Sequence, residues 1–307
     1  MRRLVASLAV LGVLAGCGGG GDDLASDGRP QVIAAFYPIY EAATRVGGDH
    51  MQVHNLTPAG AEPHDLELSS RQVDRIEDAA VVLYLGGGFQ PALERVATRS
   101  KGVKVDLLPA AGTLLPPPAG DHGHHHDDDD ELEADPHIWL DPTLHKAVVG
   151  RIAAALAEAD PANRADYEAN AAAYGRELDD LDAAFSQGLA QCDRRVFVTS
   201  HDAFGYLARR YNLTQEPIAG LEPDSEPSPR RMAELASKVR AEGITTIFYE
   251  TLVSPRVAEA LAREAGVRTA VLDPLEGLSQ EDISAGKTYV SVMRENLTAL
   301  RGALGCR

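Results

Sequence analysis

The sequence predicts an α/β protein of two lobes, each built on a parallel sheet, joined by one long rigid helix. Three observations predict it. Short apolar runs of strand length alternate with amphipathic helical patterns over residues 31–107, and the same alternation resumes over 195–304. Between them lies an Ala-rich stretch whose larger apolar residues recur at steps of three and four. Strict alternation of strand and helix produces parallel strands covered by helices on both faces, so each lobe is expected to be Rossmann-like.

In chain order, residues 32–36 read as a strand, 39–46 as a helix, 51–56 as a strand and 69–78 as a helix with Ser69 as its N-cap. Residues 81–85 form a third strand, 91–98 a helix and 103–107 a fourth strand. Residues 109–133 interrupt the pattern: Pro116-Pro117-Pro118 and the Gly, His and Asp that follow cannot bury apolar surface, and disorder is expected. After Asp141-Pro142 the chain turns helical, and Asp160-Pro161 supplies a cap followed by Pro at a first helical position.

Tyr167, Ala171, Tyr174, Leu178, Leu181, Phe185 and Leu189 then lay one apolar stripe along a single helix. Over residues 161–190 it would be about 45 Å long, enough to run beside both lobes. In the second half, strands are expected at 195–199, 214–218, 245–249 and 269–272. Helices are expected at 203–210, 229–241 behind Ser228, 255–265 behind Ser254, and 287–304. The resulting division is an N-terminal lobe at 30–142, connecting helices at 143–190 and a C-terminal lobe at 191–307.

The first residues are a targeting segment rather than part of the fold. Arg2 and Arg3 precede an apolar run from Leu4 to Ala15 that is too short to span a bilayer, and residues 1–16 read as a signal peptide. Leu14-Ala15-Gly16-Cys17 resembles a bacterial lipobox, in which Cys17 carries lipid and residues 17–29 form a flexible tether. Loss of that segment removes two Arg and no acidic residue, deepening a formal charge of −17. So acidic a chain excludes nucleic acid as a natural partner and suits cations. Of the three cysteines, Cys192 and Cys306 remain, and in an oxidising compartment a disulfide between them is the natural reading.

Ligands of open α/β sheets bind beyond the carboxyl ends of strands. Four polar residues are expected there: His64 in Glu62-Pro63-His64-Asp65, His137 between two Asp-Pro steps beside the single Trp, His201 in Ser200-His201-Asp202, and Asp273 in Leu272-Asp273-Pro274. Three imidazoles and a carboxylate form a four-coordinate set suited to Zn²⁺. Taken singly, each is more readily a cap or a satisfied core residue. Together, at equivalent places of a repeated architecture, they favour a metal. Asp65, Asp141 and Asp202 lie where a carboxylate could accept the second N–H of a ligand imidazole. His50, His54 and His145 read as surface or structural residues.

The stretches Glu62 to Asp65, Asp135-Pro136-His137-Ile138-Trp139-Leu140-Asp141-Pro142, Ser200 to Leu207, Glu226-Pro227-Ser228-Pro229 and Leu272-Asp273-Pro274-Leu275 occur in an order that resembles the zinc and manganese solute-binding lipoproteins of ABC importers, the ZnuA-like or TroA-like group. The resemblance spans essentially the whole mature chain. It implies capture of a divalent metal outside the membrane and delivery to an ABC permease and its ATPase, with no reaction catalysed and a lipid-anchored monomer as the working form. It also implies His64, His137 and His201 as ligands, with Asp273, Glu62, Glu250 or water in the fourth place. Zinc is expected over Mn²⁺ because imidazole suits zinc and because manganese members tend to carry a carboxylate where His201 stands.

His122, His124, His125 and His126, followed by Asp127 to Asp130, read as an auxiliary loop that collects zinc weakly, the bland alternative being a solvated acidic loop. Two other functions compete. A zinc hydrolase could use three His plus water, although neither an HExxH pattern nor a nucleophile elbow is present. An adhesin or envelope protein would use its surface and not its cleft.

Overall fold

The structure is a computed structural model that describes residues 28–117, 132–221, 223 and 225–307. The expected signal peptide, the expected lipidation site Cys17, the expected tether through Asp27 and the tract His122 to His126 lie outside the described residues.

The first lobe runs β1 (Gln31–Ala34), α1 (Tyr37–Gly47), β2 (Gln52–Asn55), α2 (Ser70–Asp78), β3 (Val81–Tyr84), α3 (Pro91–Ala97) and β4 (Val103–Asp106). Its four strands are parallel in the order β2-β1-β3-β4, with Val32 opposite Val53 on one side and Val81 on the other. The two inner strands are β-branched or apolar throughout their buried positions, as a sheet covered on both faces requires. Ser69 caps α2 in a reciprocal capping box with Gln72, as the Ser-x-x-Gln spacing predicts.

The second lobe repeats the plan: β5 (Val196–Thr199), α6 (Gly205–Arg210), β6 (Thr214–Pro217), α7 (Pro229–Ala241), β7 (Thr246–Tyr249), α8 (Arg256–Ala265) and β8 (Arg268–Val271), ordered β6-β5-β7-β8. Two further helices, α9 (Gln280–Ser284) and α10 (Tyr289–Leu304), follow the sheet. The short α9 has no counterpart among the expected elements; Ser279 caps it through the Asp282 amide. Pro255 occupies the N-cap of α8 where Ser254 is expected.

Between the lobes lie α4 (Pro142–Ala159), capped by the Asp141 carboxylate on the Thr143 amide, and α5 (Arg164–Gly188). The expected long helix begins late, because Pro161–Asn163 form a 3-10 turn in which the Asp160 carboxylate accepts from both Asn163 and Tyr167. Its 25 residues still give a rod of about 38 Å. The stripe is buried as patterned: Tyr167, Tyr174, Leu178, Leu181, Phe185 and Leu189 are all closed to solvent. This helix packs on α4 along its length, on α1 of the first lobe and on α10 of the second.

One continuous apolar core runs from the first sheet through Trp139, α4 and α5 into α10, and a smaller cluster around Val198, Leu235, Ile247 and Leu261 fills the outer side of the second lobe. Cys192 and Cys306 are joined in a disulfide that fastens the tail beside the end of α5, where the Arg307 amide also donates to the Gln191 carbonyl at 3.0 Å. Closing a loop of 114 residues restrains the unfolded chain by roughly 4 to 5 kcal/mol in the chain-entropy model.

His145 lies in this core, stacked on Tyr289 with ring centroids 4.3 Å apart. Burial pushes its pKa down to about 3. The unfolded chain takes up a proton at this residue below about 6.5 and the native chain only near 3, so acidification favours unfolding across that window. The slope is at most about 1.4 kcal/mol per pH unit. His145→Phe is therefore expected to lose less stability between pH 7 and pH 5 than the unsubstituted chain, measured by urea unfolding at both pH values. Equal losses would remove His145 from the acid response.

Candidate metal centre

The carboxyl ends of both sheets face a common seam. His64 lies in the loop after β2, held by two anchors: the Gln90 side-chain amide donates to the Pro63 carbonyl at 3.1 Å, and the Thr57 hydroxyl donates to the Ala35 carbonyl at 2.8 Å. His137 immediately precedes a 3-10 turn, Ile138–Leu140. Its backbone amide donates to the Asp135 carboxylate at 2.9 Å, so the Asp-Pro-His sequence folds back on itself. His201 follows β5, its carbonyl accepting from the Thr199 hydroxyl and the Gln215 amide at 2.8 and 2.9 Å.

The fourth member is Glu276. Its Oε1 lies 3.4 Å from His64 Nε2, 3.0 Å from His137 Nε2 and 3.2 Å from His201 Nε2, and the last two nitrogens are 3.4 Å apart. All four side chains are buried. Each of these residues offers one ligand atom, and those atoms all fall within 4.8 Å of one another.

The structure brings Glu276, and not the expected Asp273, into the cluster. Asp273 is buried nearby, but its oxygens are used inside its own loop: Oδ1 accepts from the Leu275 amide at 2.7 Å and Oδ2 from the Thr251 hydroxyl at 2.9 Å. Burial pushes its pKa up to about 6. Asn296 grips the same residue from α10, accepting from its amide and donating to its carbonyl. The turn continues through Leu275, a non-glycine residue at φ +58°, which redirects the chain so that Glu276 and not Asp273 reaches the imidazoles. Such a conformation costs roughly 1 to 2 kcal/mol and persists because the Leu275 side chain is fully buried. Gly277, after Glu276, makes a close approach: a Cβ there would stand 3.1 Å from Leu252 and 3.3 Å from the Ala61 carbonyl of the opposite lobe, so a larger residue would need its neighbours to shift.

Glu250, the other carboxylate candidate, turns its Oε1 to His201 Nδ1 at 2.7 Å, and Asp135 does the same for His137 Nδ1 at 2.8 Å. These two carboxylates take the orienting role expected of Asp65, Asp141 or Asp202; Asp141 is a helix cap and Asp65 is exposed. Each Nδ1–H is thereby fixed on a carboxylate and each Nε2 lone pair faces the centre. Glu62 stands beside Glu276 and outside the four-atom cluster; burial, then the Glu276 charge, raise its carboxyl well above the usual range.

Burial alone would lower the His137 and His201 pKa values. Hydrogen bonds that the Asp135 and Glu276 carboxylates accept from the first, and the charges of Glu250 and Glu276 on the second, reverse it and raise both. Burial would raise Glu276, but the His201 charge and the three imidazole contacts hold it well below the carboxylate range. The cluster is thus a negatively charged oxygen inside a ring of basic nitrogens. His50 and His54 take no part, pairing with Asp166 and Gln31 respectively.

A tetrahedral ion with bonds near 2.0 to 2.2 Å places its ligand atoms about 3.3 to 3.6 Å apart. Four of the six separations, at 3.0 to 3.4 Å, are close to those edges, and the other two fall within 4.8 Å. A family model described as zinc-uptake complex component A, periplasmic, matches residues 32–303. The chain belongs to this ZnuA family. It is 40% identical over 280 residues to the zinc-binding lipoprotein AdcA of Streptococcus pneumoniae, covering 90% of this chain and 56% of AdcA. The chain thus spans little more than half the length of that relative. It is 36% identical over 299 residues to the high-affinity zinc uptake system protein ZnuA of Bacillus subtilis, covering 95% of this chain and 94% of the other. Among solved structures, the Zn(II)-bound ZnuA-like domain of the S. pneumoniae AdcA superposes with a TM-score of 0.75 at 39% identity, covering 90% of this chain and 99% of that domain.

Within this ZnuA-family chain, Asp135 and Glu250 act through the imidazoles they hold. Asp135→Asn and Glu250→Gln are each expected to weaken zinc binding by roughly 10- to 100-fold while one ion per chain still binds. Competition with a fluorescent chelator measures it. Unchanged affinity in both variants would show that the imidazoles are oriented by other contacts.

Proposed function

We propose that the chain is an extracytoplasmic binding protein that captures one Zn²⁺ between its lobes on His64, His137, His201 and Glu276 and delivers it to an ABC permease and its ATPase. The observation that carries this reading is the cluster itself: four buried ligand atoms from both lobes, all within 4.8 Å of one another. Three imidazole nitrogens and one carboxylate oxygen favour zinc over Mn²⁺, which prefers oxygen ligands. Membership of the ZnuA family and likeness to relatives named for zinc binding and zinc uptake support the same cargo.

The hydrolase alternative loses its basis at Glu276. A catalytic zinc keeps one coordination position open for water, whereas a fourth protein ligand here closes the set. A closed set supports binding without turnover. Lipid attachment at Cys17 would hold the protein, as a monomer, at the membrane; among the described residues no helix is long and apolar enough to cross one.

Calorimetric titration of the metal-free chain tests the ligand set. Glu276→Gln is expected to weaken zinc by tenfold or more, about 1.4 kcal/mol, while Asp273→Asn keeps one site of nearly unchanged affinity. The reverse pattern would return Asp273 to the fourth position, and displacement of bound zinc by equimolar Mn²⁺ would overturn the choice of metal.

A further inference from the structure

The two imidazoles of the first lobe share one aromatic wall. Phe89 is buried, and its ring centroid lies 4.7 Å from that of His64, with the planes at 83°, and 6.5 Å from that of His137. The imidazole centroids are themselves 5.7 Å apart, so Phe89 fills the angle between the two rings. Behind it stand Phe36 at 5.2 Å and Trp139 at 5.9 Å, and Trp139 also packs on His137 at 5.1 Å. This wall offers an ion no ligand: the phenylalanines carry no polar side-chain atom, and the indole N–H is a donor committed to the Pro274 carbonyl.

The loop that presents Phe89 is held at several points. Gly86-Gly87-Gly88-Phe89-Gln90 joins β3 to α3, and Gly87 and Gly88 take φ values of +75° and +84°, which favour glycine. The Asp106 carboxylate, at the end of β4, accepts from the Gly86 amide at 2.8 Å. The Glu94 carboxylate of α3 accepts from the Gly88 amide at 3.0 Å. Gln90 then reaches the Pro63 carbonyl. One loop therefore fixes both the backbone before His64 and the space beside its ring.

The carboxylates of Asp135 and Glu250 turn His137 and His201 by hydrogen bonding. Phe89 acts on His64 by shape, in the edge-on geometry that aromatic pairs prefer. Replacing its ring with a methyl group would open space bordered by two imidazoles, a polar setting in which water is stable. Such a water would give the ion a fifth ligand, an expansion zinc accepts, and would leave His64 room to turn.

Resting on the zinc reading above, we infer that Phe89 is a positioning residue of the metal centre. It sets the His64 ring and, by filling the space between His64 and His137, holds the bound ion to four ligands.

Two measurements on the full chain test this. Chelator competition gives the zinc affinity of the unsubstituted chain, Phe89→Ala, His64→Ala and the double variant. Phe89→Ala is expected to weaken zinc by roughly tenfold or more in the unsubstituted background. In the His64→Ala background the further loss should be under about threefold, because the ring acts through that imidazole. Leu93→Ala, which opens a core cavity in α3, should lower the melting temperature and leave the affinity unchanged. The second measurement is the visible spectrum with Co²⁺ in place of zinc, intense for a tetrahedral ion and weaker as ligands are added. The unsubstituted chain should give the intense spectrum and Phe89→Ala a weaker one. Phe89→Val, a smaller cavity, is read in both measurements with the same expected direction and decides the matter if Phe89→Ala does not fold. A loss as large in the His64→Ala background as in the unsubstituted chain, or an unchanged Co²⁺ spectrum, would overturn the inference. A Co²⁺ spectrum that is not tetrahedral before any substitution would instead overturn the zinc reading on which it rests.

Discussion

Three imidazole nitrogens and one carboxylate oxygen, buried and pointed at one another, are the constraint on which the rest of the structure depends. With Nδ1 of His137 and His201 committed to Asp135 and Glu250, the inward nitrogens present lone pairs to Glu276. An arrangement of acceptors around acceptors is unfavourable unless protons or a cation occupy the centre, and the raised imidazole pKa values are the same fact seen without the ion. The chain meets the cost locally. It accepts left-handed backbone at Leu275 and glycine at two close approaches, Gly277 against Ala61 and Gly205 against the Asp135 carboxylate, where a Cβ would come within 2.9 Å.

The frame that carries these groups crosses the seam repeatedly. Trp139, beside His137, donates its indole N–H to the Pro274 carbonyl at 2.7 Å and packs edge-on against Phe36. The Tyr289 hydroxyl donates to the Trp139 carbonyl, the Tyr206 hydroxyl to the Asp135 carbonyl, and the Gly60 amide to the Leu278 carbonyl. α5 packs on both lobes and one core runs through them, contacts that oppose hinge motion between the lobes. Two of the cluster's donors come from each lobe, so an ion bound on all four would also hold the lobes together.

The fold was legible in the sequence because its signals are local. Apolar runs bounded by turns marked all eight strands to within a residue or two, and the stripe from Tyr167 to Leu189 marked the rod. The three histidines were legible because each sits in a short, proline-flanked or strand-terminal context. Glu276 was not, because the choice between it and Asp273 depends on a turn at Leu275 with positive φ, which Leu rarely adopts. The one available hint was a second carboxylate, between Leu275 and Gly277, three residues after Asp273 in a loop otherwise apolar. Asp135 and Glu250 were likewise hidden as orienting groups: one is two residues from its imidazole and the other 49 residues away on a neighbouring strand end. The short α9 lacked a periodic pattern long enough to register.

The most direct test of the central claim is a crystal structure of the chain purified with its native metal, with anomalous data collected on both sides of the zinc absorption edge. One peak that appears only above the edge, bonded at about 2.0 to 2.2 Å to Nε2 of His64, His137 and His201 and to a Glu276 oxygen, is the result predicted. A peak with Asp273 or Glu250 in the coordination shell, or one unchanged across the zinc edge, would contradict it.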